Sequence, residues 1–123
     1  MKKLKILICD DDQDNLDVLQ ILLEMEGYIV VKEDQSSKLI STINSEQPDL
    51  LLLDIWMPEI CGDEIIKIIR SDSSINGLPI IAFSASLDIE KISKKAGANQ
   101  YISKPYDINE ITRLIINVLG NKL

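Results

Sequence analysis

Five side chains in this sequence could act on one substrate: the acid pair Asp10-Asp11, the acid Asp54, the hydroxyl of Ser84 and the amine of Lys104. Each follows or closes a short apolar run: Lys5-Ile6-Leu7-Ile8-Cys9, Leu50-Leu51-Leu52-Leu53, Pro79-Ile80-Ile81-Ala82-Phe83 and Tyr101-Ile102-Ser103. Such runs read as strands buried on both faces, and their ends define the sheet edge where open α/β folds place ligands. Three carboxylates close together cannot all ionise cheaply. A divalent cation relieves the repulsion, and hard oxygen donors with room for water and a phosphate suit Mg²⁺. Lys104 adds one positive charge and Ser84 one hydroxyl, as the oxygens of an incoming phosphoryl group require. With no other nucleophile at that edge, the chemistry indicated is phosphorylation of a carboxylate, which needs mainly positioning and charge neutralisation. Asp54 is the candidate acceptor because it is central, with the acid pair to one side.

The elements that must position these groups alternate along the chain. Asp14 or Asn15 is expected to cap a first helix carrying Leu16, Leu19 and Leu23, which Gly27 stops. Tyr28 to Val31 reads as a strand whose polar tail, Lys32 to Gln35, suits a sheet edge. Ser36 or Ser37 is expected to cap a second helix with Leu39, Ile40 and Ile43, ending before Pro48. A third helix opens at Gly62-Asp63-Glu64, with Ile65, Ile66, Ile68 and Ile69 expected to face the sheet. Ser71 to Leu78 is a loop with an Asn76-Gly77 turn. The fourth strand ends on Ser84-Ala85-Ser86, and a helix with Ile89, Ile92 and Ala96 on one face closes at Gly97. From Asp107 the last helix places Ile108, Ile111, Ile115 and Val118 at helical spacing. Five strands alternating with five helices predict an α/β fold: a flavodoxin-like three-layer sandwich with a five-stranded parallel sheet in the order 2-1-3-4-5. Residues 1–123 read as one domain.

Bulk composition narrows the function. The chain has 123 residues, 46% hydrophobic and 27% charged, the balance of a globular protein with its own core. A net charge of -7 argues against broad binding to nucleic acid or anionic membrane. No apolar stretch approaches the ~18 residues of a membrane span, and Met1-Lys2-Lys3 leads into a strand rather than a signal peptide, so a cytoplasmic location is expected. Cys9 and Cys61 read as reduced thiols rather than a metal site. Histidine is absent, which removes His-based zinc sites, Ser-His and Cys-His nucleophiles, and any phosphohistidine on this chain.

Taken together, Asp10-Asp11, Asp54 followed by Met57-Pro58, Ser84-Ala85 and Lys104-Pro105 resemble the CheY-like response-regulator receiver domain of two-component signalling, over essentially the whole chain. The resemblance implies that Asp54 takes phosphate from a phosphohistidine on a sensor histidine kinase or histidine phosphotransfer protein, without conventional enzyme turnover. It implies Mg²⁺ held by Asp10, Asp11, Asp54 and the backbone carbonyl of Trp56, with phosphoryl contacts from Lys104, Ser84 and the backbone of Trp56 and Ala85. Ser84 and Tyr101 would form the switch that remodels the face of the fourth helix, fifth strand and fifth helix for a downstream protein, and Lys104-Pro105 would be cis. A monomer, or a weak dimer dependent on phosphorylation, follows from the same likeness. Trp56 is bulkier than the family's frequent residue there and is expected to shield an acyl phosphate from water. Cys61 stands where an acid or Asn is common, Ser84 replaces the commoner Thr, and Asp12 is expected only to add negative potential.

Two rival chemistries fit less well. A haloacid-dehalogenase-like phosphatase could use Asp10, Asp12, Ser84 and Lys104, but Asp14 replaces the Thr or Val expected there and no acid pair follows Lys104. A calcium loop on Asp10, Asp12 and Asp14 would need Gly at Asn15 and Glu at Ile21. A scaffold without phosphorylation is disfavoured because every residue the chemistry needs is present. Between a stand-alone protein and a module of a hybrid kinase or larger regulator, the initial Met1 favours the first.

Overall fold

The computed structural model describes residues 3–85 and 88–120; Met1, Lys2 and Ser86, which entered the expectations above, lie outside that range. Strand β1 (Lys5–Cys9) leads to helix α1 (Gln13–Met25) and strand β2 (Ile29–Glu33). A 3₁₀ turn (Ser36–Lys38) runs into α2 (Leu39–Glu46), followed by β3 (Leu50–Asp54), α3 (Gly62–Ser71) and β4 (Ile80–Ser84). The chain closes with α4 (Ile89–Ala96), β5 (Gln100–Ser103) and α5 (Ile108–Leu119). All paired strands are parallel, in the order β2-β1-β3-β4-β5, the flavodoxin-like arrangement expected.

The leucine run explains why β3 is central. Leu51 and Leu53 point into the core shared with α2, α3 and α4, while Leu50 and Leu52 point into the core shared with α1 and α5. All four are essentially inaccessible to water, and burying one leucine side chain stabilises by about 2 kcal/mol. The strand is thereby fixed from both sides, and the residue that ends it inherits that rigidity.

Local details depart from the sequence expectations at four places. Asp12 caps α1, its carboxylate accepting from the N–H groups of Asp14 and Asn15, so its role exceeds a contribution to potential and neither Asp14 nor Asn15 is the cap. Neither Ser36 nor Ser37 caps the second helical segment: Gln35 occupies that position without a side-chain bond. Lys32 and Glu33 belong to β2, because parallel pairing with β1 continues as far as Cys9↔Glu33. Ile68 is 46% exposed. Ile65, Ile66 and Ile69 already fill the arc that α3 turns to the sheet, and Ile68 falls outside it.

At the far edge, away from the acids, Arg70 ties two loops together, the one between α3 and β4 and the one between α4 and β5. Its guanidinium donates to the carbonyls of Gly97 (2.9 Å), Asn76 (2.9 Å) and Leu78 (2.6 Å) and to Asn99 Oδ1 (2.9 Å). Replacing it strands several acceptors at once. Arg70→Met is expected to cost about 2 kcal/mol in a urea denaturation experiment. An unchanged midpoint would mean that water replaces the guanidinium without loss.

Candidate functional site

Parallel strands ending at one edge bring the separated acids together. Asp10 directly follows β1 and Asp54 ends β3, and both are buried, whereas Asp11 is exposed. One carboxylate oxygen from each of the three lies within 4.8 Å of the others. Lys104, beyond the end of β5, places Nζ 3.4 Å from Asp54 Oδ2 and 3.6 Å from Asp10 Oδ2. The ammonium also lies 5.1 Å from the centre of the Phe83 ring, which gives it a polarisable wall. Asp54 pairs across the sheet with Phe83, so buried Ser84 stands one residue further out, and its carbonyl accepts from the Lys104 N–H at 2.8 Å. The Lys104-Pro105 bond is cis.

The electrostatics follow from this crowding. Burial is the main force pushing the Asp54 carboxyl up to about 6; Lys104 opposes it, the Asp10 charge adds to it, and the Trp56 N–H, 3.1 Å from Oδ1, also opposes it. Burial works against the Lys104 charge, but Asp54 and Asp10 outweigh that and hold its proton more tightly than usual. The two buried carboxylates therefore share the Lys104 amine, and the third, on Asp11, stands exposed beside them. That all-oxygen, incompletely neutralised donor set fits a hard divalent cation with room left for water or a phosphate oxygen. A depression lined by Asp12, Asn15, Ala85, Lys104, Pro105 and Tyr106 opens alongside.

The remaining expected residues take distinct places. Trp56 brings its backbone N–H to Asp54 and leaves its side chain exposed, at 53% for the residue. Half-buried Tyr101 packs on the α4 side of the sheet, and a hydrogen bond with the Glu90 side chain is the main cause that raises its phenol above the ordinary value. Cys61 caps α3 with its backbone alone. Cys9 and Cys61 are free thiols; Cys9 is buried 3.8 Å from Met57 Sδ, and burial is the main cause that pushes it up.

Sequence reasoning missed three residues at this edge. Asn15 donates its amide to Asp10 Oδ2 and accepts from Tyr106 Oη at 3.3 Å, and Tyr106 meets Phe83 edge-on. Asn15 was open to discovery: five residues past Asp10, it sits in the first turn of the helix that starts at the acids. Gly62 is the third, since its N–H donates at 2.7 Å to the carbonyl of Ile55, the residue after Asp54.

Comparison with known proteins agrees with this geometry. Residues 6–116 match the family described as the response regulator receiver domain. The polar-differentiation response regulator DivK of Brucella anthropi is 29% identical over 119 residues, covering 94% of this chain and 96% of DivK. The crystal structure of a candidate response regulator from Chloroflexus aurantiacus superposes with a TM-score of 0.91 at 30% identity, covering 97% and 99% of the two chains. The receiver domain of the sensor histidine kinase PA1611 from Pseudomonas aeruginosa, with a magnesium ion coordinated in its active site cleft, superposes with a TM-score of 0.88 at 25% identity, covering 97% of this chain and 99% of that one.

Proposed function

This chain belongs to the response regulator receiver domain family, and on that premise we propose that residues 1–123 act as one receiver unit whose Asp54 accepts a phosphoryl group in a two-component phosphorelay. The observation that carries this reading is the meeting of Asp10, Asp11 and Asp54 within 4.8 Å beneath one lysine amine. In the transfer, an Asp54 oxygen attacks phosphorus as the phosphorus–nitrogen bond of a partner's phosphohistidine breaks, and the leaving imidazole takes up a proton. A carboxyl raised only to about 6 is largely ionised at neutral pH and so remains nucleophilic. Lys104 leaves its carboxylate contacts to meet a phosphoryl oxygen, and Ser84 with the N–H groups of Trp56 and Ala85 meets the others. Asp10, Asp11, Asp54 and the Trp56 carbonyl would hold Mg²⁺, which supplies charge neutralisation for the oxygens in flight. The PA1611 receiver domain, with magnesium in its cleft, supports that assignment.

The output is read on the face of α4, β5 and α5. The bond from Tyr101 to Glu90 would yield as Ser84 closes on the phosphoryl group, turning the ring inward and changing that face for a protein target. The donor is a sensor histidine kinase or histidine phosphotransfer protein, and the receiver works as a monomer or weak dimer. Among the described residues no helix is long and apolar enough to cross a membrane. A cytoplasmic setting is the one in which such donors act.

The test is incubation with Mg²⁺ and acetyl phosphate or phosphoramidate, followed by mass spectrometry. The parent is expected to gain one phosphoryl group on the Asp54 peptide only with Mg²⁺, and Asp54→Asn none; a gain indifferent to either change would falsify the assignment. The exposed Trp56, two residues past Asp54, carries a further expectation. Trp56→Asn should lose its phosphoryl group several-fold faster than the parent when decay is followed after donor removal, because water reaches phosphorus more freely. Equal lifetimes would leave Trp56 as an exposed side chain with no shielding role.

A further inference from the structure

Ser36 is an improbable residue to find buried, lying in the turn that precedes α2, yet it is only 2% exposed. Its hydroxyl donates to the Pro58 carbonyl at 2.7 Å and accepts from the Ile60 N–H at 3.0 Å. Those two groups flank Glu59, whose φ of 72° lies in the left-handed region that a side chain disfavours. The Ile60 N–H also donates to the Pro58 carbonyl at 3.0 Å, closing a three-residue turn of the rare, strained hand. Both partners of that turn are thus held by one oxygen from a remote element. The turn sits in the loop that leaves Asp54, three residues past Trp56, whose N–H meets the acceptor carboxylate.

Resting on the phosphoacceptor reading above, we propose that Ser36 is a positioning residue for phosphoryl transfer: it clamps the strained Pro58–Ile60 turn and thereby fixes the backbone N–H and carbonyl of Trp56 at the site. It touches neither substrate nor metal. Without the clamp, the turn relaxes and the loop samples conformations in which the Trp56 carbonyl points away, so binding of a cation is weakened. The acid oxygens themselves, mounted on β1 and β3, stay in place. A cation held by the Trp56 carbonyl would restore the loop, and with it the N–H of the same residue, so the defect lies in Mg²⁺ affinity and not in the rate once the cation is bound.

Trp56 is the chain's single tryptophan, so its fluorescence reports on this loop during a Mg²⁺ titration. Ser36→Ala is expected to bind Mg²⁺ five- to tenfold more weakly than the parent. Phosphorylation by acetyl phosphate should be slower by the same factor at limiting Mg²⁺ and approach the parent's rate at saturation. Ser36→Cys, nearly isosteric with weaker hydrogen bonding, gives the same reading if the alanine variant does not fold. Arg70→Met, destabilised at the opposite sheet edge, should keep the parent's Mg²⁺ affinity, which separates positioning from general loss of stability. Folded Ser36 variants with the parent's affinity overturn the proposal. So does an Arg70→Met protein weakened in Mg²⁺ binding to the same degree. A parent that neither binds Mg²⁺ nor takes phosphate on Asp54 sinks the phosphoacceptor reading, and this inference with it.

Discussion

In chelator-treated buffer near pH 8, Asp54→Asn is expected to be more stable than the parent by about 3 kcal/mol, an advantage that should disappear below about pH 4. The folded chain holds the Asp54 proton up to about 6, against 3.8 for an ordinary aspartate. Burial is the chief cause, with the Asp10 charge adding to it and Lys104 partly opposing both. That gap corresponds to about 3 kcal/mol. Between about pH 4 and 6 the folded state keeps a proton that the unfolded state has released, so stability falls as pH rises through this window and stays lower above it. Asparagine cannot ionise and escapes the fall. The attraction of Lys104 for the ionised carboxylate is already contained in the value of about 6, so the full gain of about 3 kcal/mol remains, and Lys104 keeps Asp10 at 3.6 Å in the variant.

Urea denaturation of both proteins across pH 4 to 8 isolates the effect, because every other titrating group is common to both. A difference that does not vary with pH, or a less stable variant near pH 8, would show that Asp54 is not strained by its burial. Added Mg²⁺ should stabilise the parent more than the variant, since a cation among the acids relieves the same repulsion. Asp54 is thus held in a state that either cation binding or phosphorylation would improve.

The strand ends made most of this site legible in the sequence. Apolar runs stopping on Asp10, Asp54, Ser84 and Lys104 place those groups at one edge whatever the details of packing, because a buried parallel sheet has only one such edge. What escaped is set by individual rotamers and close approaches. Asn15 resembles any polar residue early in a helix, and its bonds to Asp10 and Tyr106 arise only when α1 and the segment after β5 are folded beside each other. Ser36 has the residue type of a helix cap and the right position, yet a loop 22 residues away claims its hydroxyl. Ile68 shows the limit of periodicity: four isoleucines at positions 65, 66, 68 and 69 cover a wider arc than one helix can bury against a sheet.

Gly62→Ala is expected to destabilise the protein by about 3 kcal/mol and to slow phosphorylation of Asp54 at least about tenfold. Helix propensity alone gives the opposite sign, because Gly62 opens α3 and alanine is the better helix former by up to ~1 kcal/mol. Sterics decide against it. A Cβ at Gly62 would lie 2.5 Å from the Asp54 carbonyl oxygen and 2.7 Å from Ile55 Cα. Both are backbone atoms, so no rotamer change relieves the clash. The strand cannot retreat freely, since the Ile55 N–H is bonded to the Phe83 carbonyl at 3.1 Å. The helix cannot either, because Ile65, Ile66 and Ile69 are fully buried beneath it. Whichever side yields, the backbone that aims the Asp54 carboxylate moves with it. Gly77→Ala provides the control: nothing lies within 4 Å of its added carbon, and its stability should stay within about 0.5 kcal/mol of the parent. Urea denaturation and the acetyl phosphate assay together read the outcome. A Gly62→Ala protein as stable and as readily phosphorylated as the parent would mean that helix and strand part at little cost, and that the acceptor's aim does not depend on their close approach.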